Sequence, residues 1–496
     1  MKARLALIAS LTVVSVAAAR QNLPTDDGAI DHVVSRLTFG ARPGDVEHVR
    51  SIGVERYIDE QLHPERLADA GVDARLADLT TLRMSSRQIA EEFEAPLLKA
   101  RQAKKQADVE KSGDEAAAVD PEQQKRAASV VLELQEQKLV RAIYSNRQLQ
   151  EVLVDFWFNH FNVDSRKGAD RFLLTAYERD VIRPRVFGKF RDLLEATAKS
   201  PAMLFYLDNW MSVDPNGPHV ELPQPRVVRG PFGRPMLVQP PLRVPRQNQN
   251  APKGLNENYG RELMELHTLG VDGGYTQRDV TEVARALTGW TVENPRLGGG
   301  FVFNPRLHDD GAKVVLGHVI RAGGGEHDGE EVLDILARYP STAHFIATKL
   351  ARRFVSDTPP PALVERAAAR FLETDGDLRE VTRTILTSPE FFSADALHAK
   401  VKTPLEFVVS AVRATDAEVH DAKALVNQVS QLGMPLYQCQ PPTGYKDTAD
   451  AWVNTGALVG RMNFGLSLTA NKLRGVVDSQ TKPDAIVLGS PAFQRR

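Results

Sequence analysis

The chain has 496 residues, 42% of them hydrophobic, enough apolar side chain to bury one large core or two to three ordinary ones, which excludes a disordered tail. Its 62 basic and 64 acidic side chains leave a formal net charge of -2, so no overall field draws it to nucleic acid or to an anionic membrane. Cys439 is the only cysteine, so no intrachain disulfide can form, and its Leu436 to Pro442 surroundings carry no nucleophile motif. A small, semi-buried residue is expected there.

At the N-terminus, Lys2 and Arg4 precede an apolar run from Leu5 to Val16, then Ala17-Ala18-Ala19 and the polar Arg20-Gln21-Asn22. That is the layout of a secretory signal peptide, with cleavage expected near Ala19. A membrane anchor is the competing reading. The run is shorter than the ~20 residues that a spanning helix needs and contains Ser10, Thr12 and Ser15. No later stretch is long and apolar enough to span a bilayer, so an exported chain, periplasmic or secreted, is expected.

Residues 20–475 read as one large helical domain. Helices are expected around Asp31 to Phe39, Gly44 to Gln61, Pro184 to Thr197, Glu257 to Leu269, Glu330 to Ala337, Thr342 to Phe354, Pro361 to Phe371, Leu378 to Thr387, Pro404 to Ala414 and Ala451 to Leu468. Leu149, Val152, Leu153, Phe156 and Trp157 repeat at helical spacing, and so do Val280, Val283, Ala284 and Leu287 after an N-cap at Thr276 with Asp279 three residues on. From 86 to 145 the composition turns to Ala, Glu, Lys, Gln and Arg, broken at Ser112-Gly113-Asp114, which predicts a projecting αα-hairpin, solvated or partner-binding. Residues 214–254 hold ten prolines and five arginines, too many prolines for a helix or a central strand, so a lid or a surface excursion is expected. Phe301-Val302-Phe303 and Lys313 to Leu316 are predicted to pair across His308-Asp309-Asp310-Gly311 as one small β-hairpin. Residues 476–496 read as a flexible tail. The expected fold class is therefore mainly α: a multi-helical, bundle-like body with a projecting helical hairpin and one small β-hairpin.

Several segments, in order, carry a resemblance: His32 to Gly40, Phe156 to Val163 with its Asn159-His160-Phe161-Asn162 core, Asn256 to Leu266, Tyr275 to Trp290, His308-Asp309 with Lys313 and Leu316-Gly317, and Lys402 to Glu406. Pro442-Thr443-Gly444-Tyr445 with Ala451-Trp452 adds another, with Tyr445 where Trp would be usual. Together they resemble the domain of unknown function 1800 family across nearly the whole chain after residue 19. The resemblance implies an exported bacterial protein without an established activity, often encoded beside other uncharacterised secreted proteins. Relative to that family, the charged arm and the proline-rich loop look like variable insertions.

Candidate chemistry begins with the helix after Asn256. Glu262 shares a face with Tyr259, Leu263, Leu266 and Leu269, while Glu257, Arg261 and Glu265 fall on another. A carboxylate on an apolar face must be paired, hydrogen-bonded or metal-bound, so Glu262 is a catalytic or ligand candidate, against a structural ion pair with an arginine of a neighbouring helix. His160 also falls on an apolar face, as a ligand, an acid-base group or a satisfied core residue. Asp155, Asn159 and Asn162 follow at helical spacing and either line a polar pocket or cap the next turn. Turn chemistry accounts for Asp309 but not for His308, the second catalytic candidate. Converging, His160, Glu262, Glu265, His308 and Asp309 would offer a nitrogen and oxygen set for a divalent metal and an activated water. No His-Glu-x-x-His, di-iron Glu-x-x-His pair, phosphate loop, Gly-x-Ser-x-Gly elbow or Cys-x-x-Cys-His is present. Two functions remain open: an exported binding or assembly protein engaging another secreted or envelope protein or an envelope polymer, and a metal-dependent or carboxylate-based envelope hydrolase.

Overall fold

The computed structural model describes residues 23–100, 102, 121–217, 226–229, 235–238, 254–478 and 483–496. The expected signal peptide, the tip of the charged arm and most of the proline-rich loop lie outside them. The protein is mainly α-helical. Along the chain run α1 (Asp27–Leu37), α2 (Asp45–Ile52), α3 (Val54–Leu62), α4 (Pro121–Tyr144), α5 (Gln148–His160), α6 (Glu257–Met264), α7 (Gln277–Ala286), α8 (Glu326–Arg338), α9 (Pro340–Phe354), α10 (Pro361–Glu373), α11 (Leu378–Leu386), α12 (Pro404–Ala414), α13 (Thr455–Thr469) and α14 (Ala485–Gly489), among shorter turns. Their ends follow local chemistry. Capping boxes open α7 at Thr276 with Asp279 and α12 at Thr403 with Glu406, and Pro404 takes the first turn of α12, where its missing N–H costs nothing. Gly53, at φ +89°, separates α2 from α3, so the expected single helix from Gly44 to Gln61 is two. The expected Pro184 to Thr197 helix is a short 3₁₀ turn, Arg183–Arg185, followed by a helix over Phe190–Ala198.

One contiguous apolar core draws residues from Ile30 on α1 to Leu488 on α14. A small second cluster of Ile89, Phe93, Leu97, Ala127, Val130 and Phe172 sits at the base of the charged arm. The arm is correspondingly shorter than 86–145 implies. Leu134, Leu139, Ala142 and Ile143 on α4 belong to the main core, and among them Gln135, Gln137 and Lys138 are buried and bonded to Leu436 O, Glu178 and Asp155. Charged composition hid that stripe because the polar residues in it are paired rather than solvated.

The β structure differs from the expected hairpin. Phe301–Phe303 (β4) pairs with Trp290–Val292 (β3), and Lys313–Val315 (β5) pairs with His318–Ile320 (β6). The β5–β6 turn is Leu316-Gly317, both at positive φ, +50° and +82°, the two-residue geometry that matches strand twist. A two-residue connection wins over the longer His308 to Gly311 segment, which tethers instead of turning. Arg226–Arg229 (β1) with Pro235–Val238 (β2), and Glu418–Val419 (β7) with Val476–Val477 (β8), are further antiparallel pairs.

The expected tail past 475 is also ordered where described. Val476 pairs with Val419, Leu488 is fully buried, and Arg496 exchanges backbone bonds with Lys400 while its side chain lies in the core. Short apolar segments such as Ala485 to Leu488 have too little periodicity to reveal this. Among the described residues no helix is long and apolar enough to cross a membrane.

Candidate functional site

Asn256 caps α6, its Oδ1 accepting from Tyr259 N at 3.1 Å while its Nδ2 donates to Leu207 O at 2.6 Å. Gly260 lets α6 lie against α7, because a Cβ there would stand 2.9 Å from Val280 O. Docking buries Tyr259 and Leu263 and leaves Glu262 half-buried. Burial, then the neighbouring Glu265, raises the Glu262 carboxyl above its ordinary value. Among the described residues it takes no hydrogen bond and no arginine from another helix, so the expected structural ion pair is not formed. Glu265 differs, accepting from the Tyr275 hydroxyl at 2.8 Å. Arg261 faces outward to Gln277 Oε1. Glu262 is thus a carboxyl tuned toward its protonated form, with a second carboxylate beside it.

After Met264 the helix widens into a π turn, Glu265–Leu269, which carries His267 into the interior. His160, at the end of α5, donates from Nε2 to His267 O at 3.1 Å, so its neutral ring presents a bare Nδ1. That nitrogen, His267 Nε2 and Trp157 Nε1 are all buried without a hydrogen-bond partner among the described residues. Burial, then Lys349 on α9, lowers His267 to about 3, and burial, Lys349 and His267 hold His160 well below the imidazole range. The Lys349 amine is itself brought down by burial to about 8. His267 and Lys349 were not singled out as partners of His160: His267 follows Gly260, Leu263 and Met264 at helical spacing on the buried face, but its meeting with His160 and Lys349 is a contact between distant segments.

Asn159 and Asn162 do neither of the things expected of them. Asn159 clamps Tyr445 through both amide atoms, Nδ2 to Tyr445 O at 2.8 Å and Oδ1 from Tyr445 N at 2.7 Å. Asn162 Nδ2 reaches Cys439 O and Pro441 O, each at 2.9 Å. Tyr206 and Arg166 hold the intervening Gln440 and Gln438 carbonyls. These side chains pin the strap of residues 436–445 across α5. Cys439, within the strap, is buried, and burial pushes its thiol up to about 11.

His308 is fully buried. Its Nδ1 faces Thr288 O at 2.8 Å and its Nε2 faces Asp328 Oδ2 at 3.2 Å, and that same oxygen takes Lys313 Nζ at 2.5 Å. Asp309 accepts the Arg285 fork at 2.7 and 3.0 Å. Both are used up in holding β5 to α7 and α8. Among the described residues no group of three or more His, Cys, Asp or Glu side chains is arranged to hold a metal. The five-residue metal set therefore does not assemble: Glu262 and Glu265 neighbour each other on α6, His160 packs with His267, and His308 and Asp309 are committed to other partners. A cavity of about 710 Å³ between α2, α3 and Arg413 contains none of the candidates.

No curated protein and no solved structure matches the chain. The model of one family, described as protein of unknown function (DUF1800), matches residues 32–491, a span that takes in α1 with Arg36, the Asn159 clamp, α6, the His308 tether and the strap. The chain belongs to the DUF1800 family.

Proposed function

We propose that this is an exported binding or assembly protein of the cell envelope, and that its partner meets it through an apolar protein surface. The observation that carries the reading is the outer face of α13 and α14. Leu458, Val459, Met462 and Leu466 (56% exposed) line one side of α13, and Ile486 (83% exposed) and Val487 continue it on α14. The only charged residue of α13, Arg461, turns inward to Gln494 and Lys402 O, so the exposed face of a 15-residue helix carries no charge at all. Contiguous apolar surface of this kind marks interaction sites in proteins that otherwise remain soluble. A charged polymer would find nothing to pair with there; an uncharged protein surface would.

The hydrolase alternative loses support because His308 and Asp309 are spent on the fold and no metal group assembles. Export rests on the residue pattern of positions 1–19. A photo-cross-linking amino acid at Val459, introduced in cells and followed in the envelope fraction, tests the proposal. One discrete adduct with another exported protein, lost on Met462→Asp, is expected. Cross-links spread over many proteins, an adduct indifferent to Met462→Asp, or protein confined to the cytoplasm would overturn it.

A further inference from the structure

Between α1, α9 and α12 the interior holds more positive charge than its carboxylates balance. Arg36, Arg353 and Arg496 are at most 4% exposed. Glu406 accepts from Arg353 Nη1 at 2.7 Å and from Arg496 Nη2 at 3.0 Å, and Arg36 Nη2 donates to Val355 O and Ala396 O. Among the described residues those contacts leave Nε and Nη1 of Arg36, Nε and Nη2 of Arg353, and Nε and Nη1 of Arg496 without an acceptor. Of the other nearby carboxylates, Asp447 stands 3.9 Å from Arg353 and shares Lys400 with Asp357, and Asp155 is taken by Lys138. Arg461 adds a further guanidinium nearby, while burial brings the Lys402 amine down to about 7.

Guanidinium groups do not escape burial by losing a proton, and a buried one without an acceptor is strongly unfavourable. In Arg353 the two free nitrogens, Nε and Nη2, are the neighbouring pair on one edge of the group, the fork that takes two oxygens of one anion. Access exists as well. A cavity of about 390 Å³ lined by Asp31, His398, Lys402, Phe493, Arg495 and Arg496 adjoins the cluster.

We propose that Arg36, Arg353 and Arg496 form an internal site for a small tetrahedral oxyanion of the phosphate class, reached past Arg496 and Lys402. Three pairs of unsatisfied donors call for an acceptor with three or four oxygens; a planar carboxylate would satisfy one fork and leave the others bare. Water would accept hydrogen bonds but leave the excess charge in place.

Thermal unfolding of the full chain in inorganic phosphate, against chloride at matched ionic strength, tests this. Phosphate stays below about 10 mM, where its general exclusion from protein surface contributes little. A saturable rise in Tm of about 3 °C or more is expected for the parent, as for any ligand that binds only the folded state. Arg353→Lys keeps the charge but removes the fork, and should fold with most of that rise gone. Equal Tm in phosphate and chloride, or an undiminished rise in Arg353→Lys, overturns the site. Should the variant fail to fold, crystals of the parent soaked in selenate decide the matter: an anomalous selenium peak among the three guanidinium groups supports the site, and no peak there refutes it.

Discussion

Replacing Asp328 by asparagine keeps the side chain's shape and removes the one charge that faces both Lys313, at 2.5 Å, and His308 Nε2, at 3.2 Å. Both Asp328 and Lys313 are at most 1% exposed. At an effective dielectric of ~20 their attraction is roughly 7 kcal/mol, most of it offset by the cost of taking two ions out of water. Removing one partner leaves the other buried and unpaired, which costs about 3–5 kcal/mol. Lys313 would keep the Asp309 and Gly311 carbonyls as acceptors, so the lower end, about 3 kcal/mol, is expected. That is a large part of the ~5–15 kcal/mol that holds a folded chain together. Urea denaturation of Asp328→Asn, Lys313→Met and the double variant measures it. The double variant should lose well under the sum of the singles, because no unpaired ion remains. A single-variant loss below ~1 kcal/mol, or full additivity, would refute the assignment of His308, Asp328 and Lys313 to a coupled structural unit.

Three other outcomes are expected. Asn159→Ala removes two bonds to Tyr445 and should cost about 1–3 kcal/mol, with hydrogen exchange at the Tyr445 amide accelerating ahead of exchange in α5; uniform acceleration would mean that the strap is not a separate unit. Gly444→Ala should be worse than an ordinary turn substitution, at least ~2 kcal/mol, since Gly444 sits at φ +72° and its Cβ would lie 2.2 Å from Asn159 O; thermal unfolding checks this. Glu262 has a raised folded-state pKa, so its favourable contribution exists below its ordinary value of 4.5 and is lost as pH rises through the folded value. Glu262→Gln should therefore gain stability relative to the parent as pH climbs from acid to neutral, and a difference independent of pH would contradict the half-buried, unpaired environment.

How much was readable depended on whether the deciding contact was local. Pro404 to Ala414 was read to the residue because Thr403, Pro404 and Glu406 announce a helix start within four positions. The β5 strand was placed correctly and its partner was not, since a leucine at positive φ is not a turn signal that composition displays. The half-burial of Glu262 followed from helical spacing, but that no arginine of another helix pairs with it among the described residues could be known only from the packing of α6. His308 looked reactive because its two partners, Thr288 O and Asp328, announce nothing by spacing. His267 lies on the buried face of α6 by helical spacing, but its contact with His160 joins segments about a hundred residues apart, which no local pattern encodes.

The segments that carry the family resemblance share one physical task. Arg36 closes Val355 O and Ala396 O, Asn162 closes Cys439 O and Pro441 O, Asn256 closes Leu207 O, and His308 and Lys313 close Thr288 O, Asp309 O and Gly311 O. A helical body crossed by long irregular connections buries carbonyls that no helix or sheet satisfies, and each needs a side-chain donor, most of them from far along the chain. Motifs made of Asn, Arg, His and Lys arise from that requirement without any catalysis. Among the described residues, architecture leaves other side chains unexplained: Glu262 with no counter-ion from another helix, the unpartnered nitrogens of His160 and His267, the excess guanidinium nitrogens around Glu406, and the charge-free face of α13 and α14. Substitution on the exposed face of α13 and α14, where folding has least to lose, is the cleanest way to separate what this protein does from how it stands up.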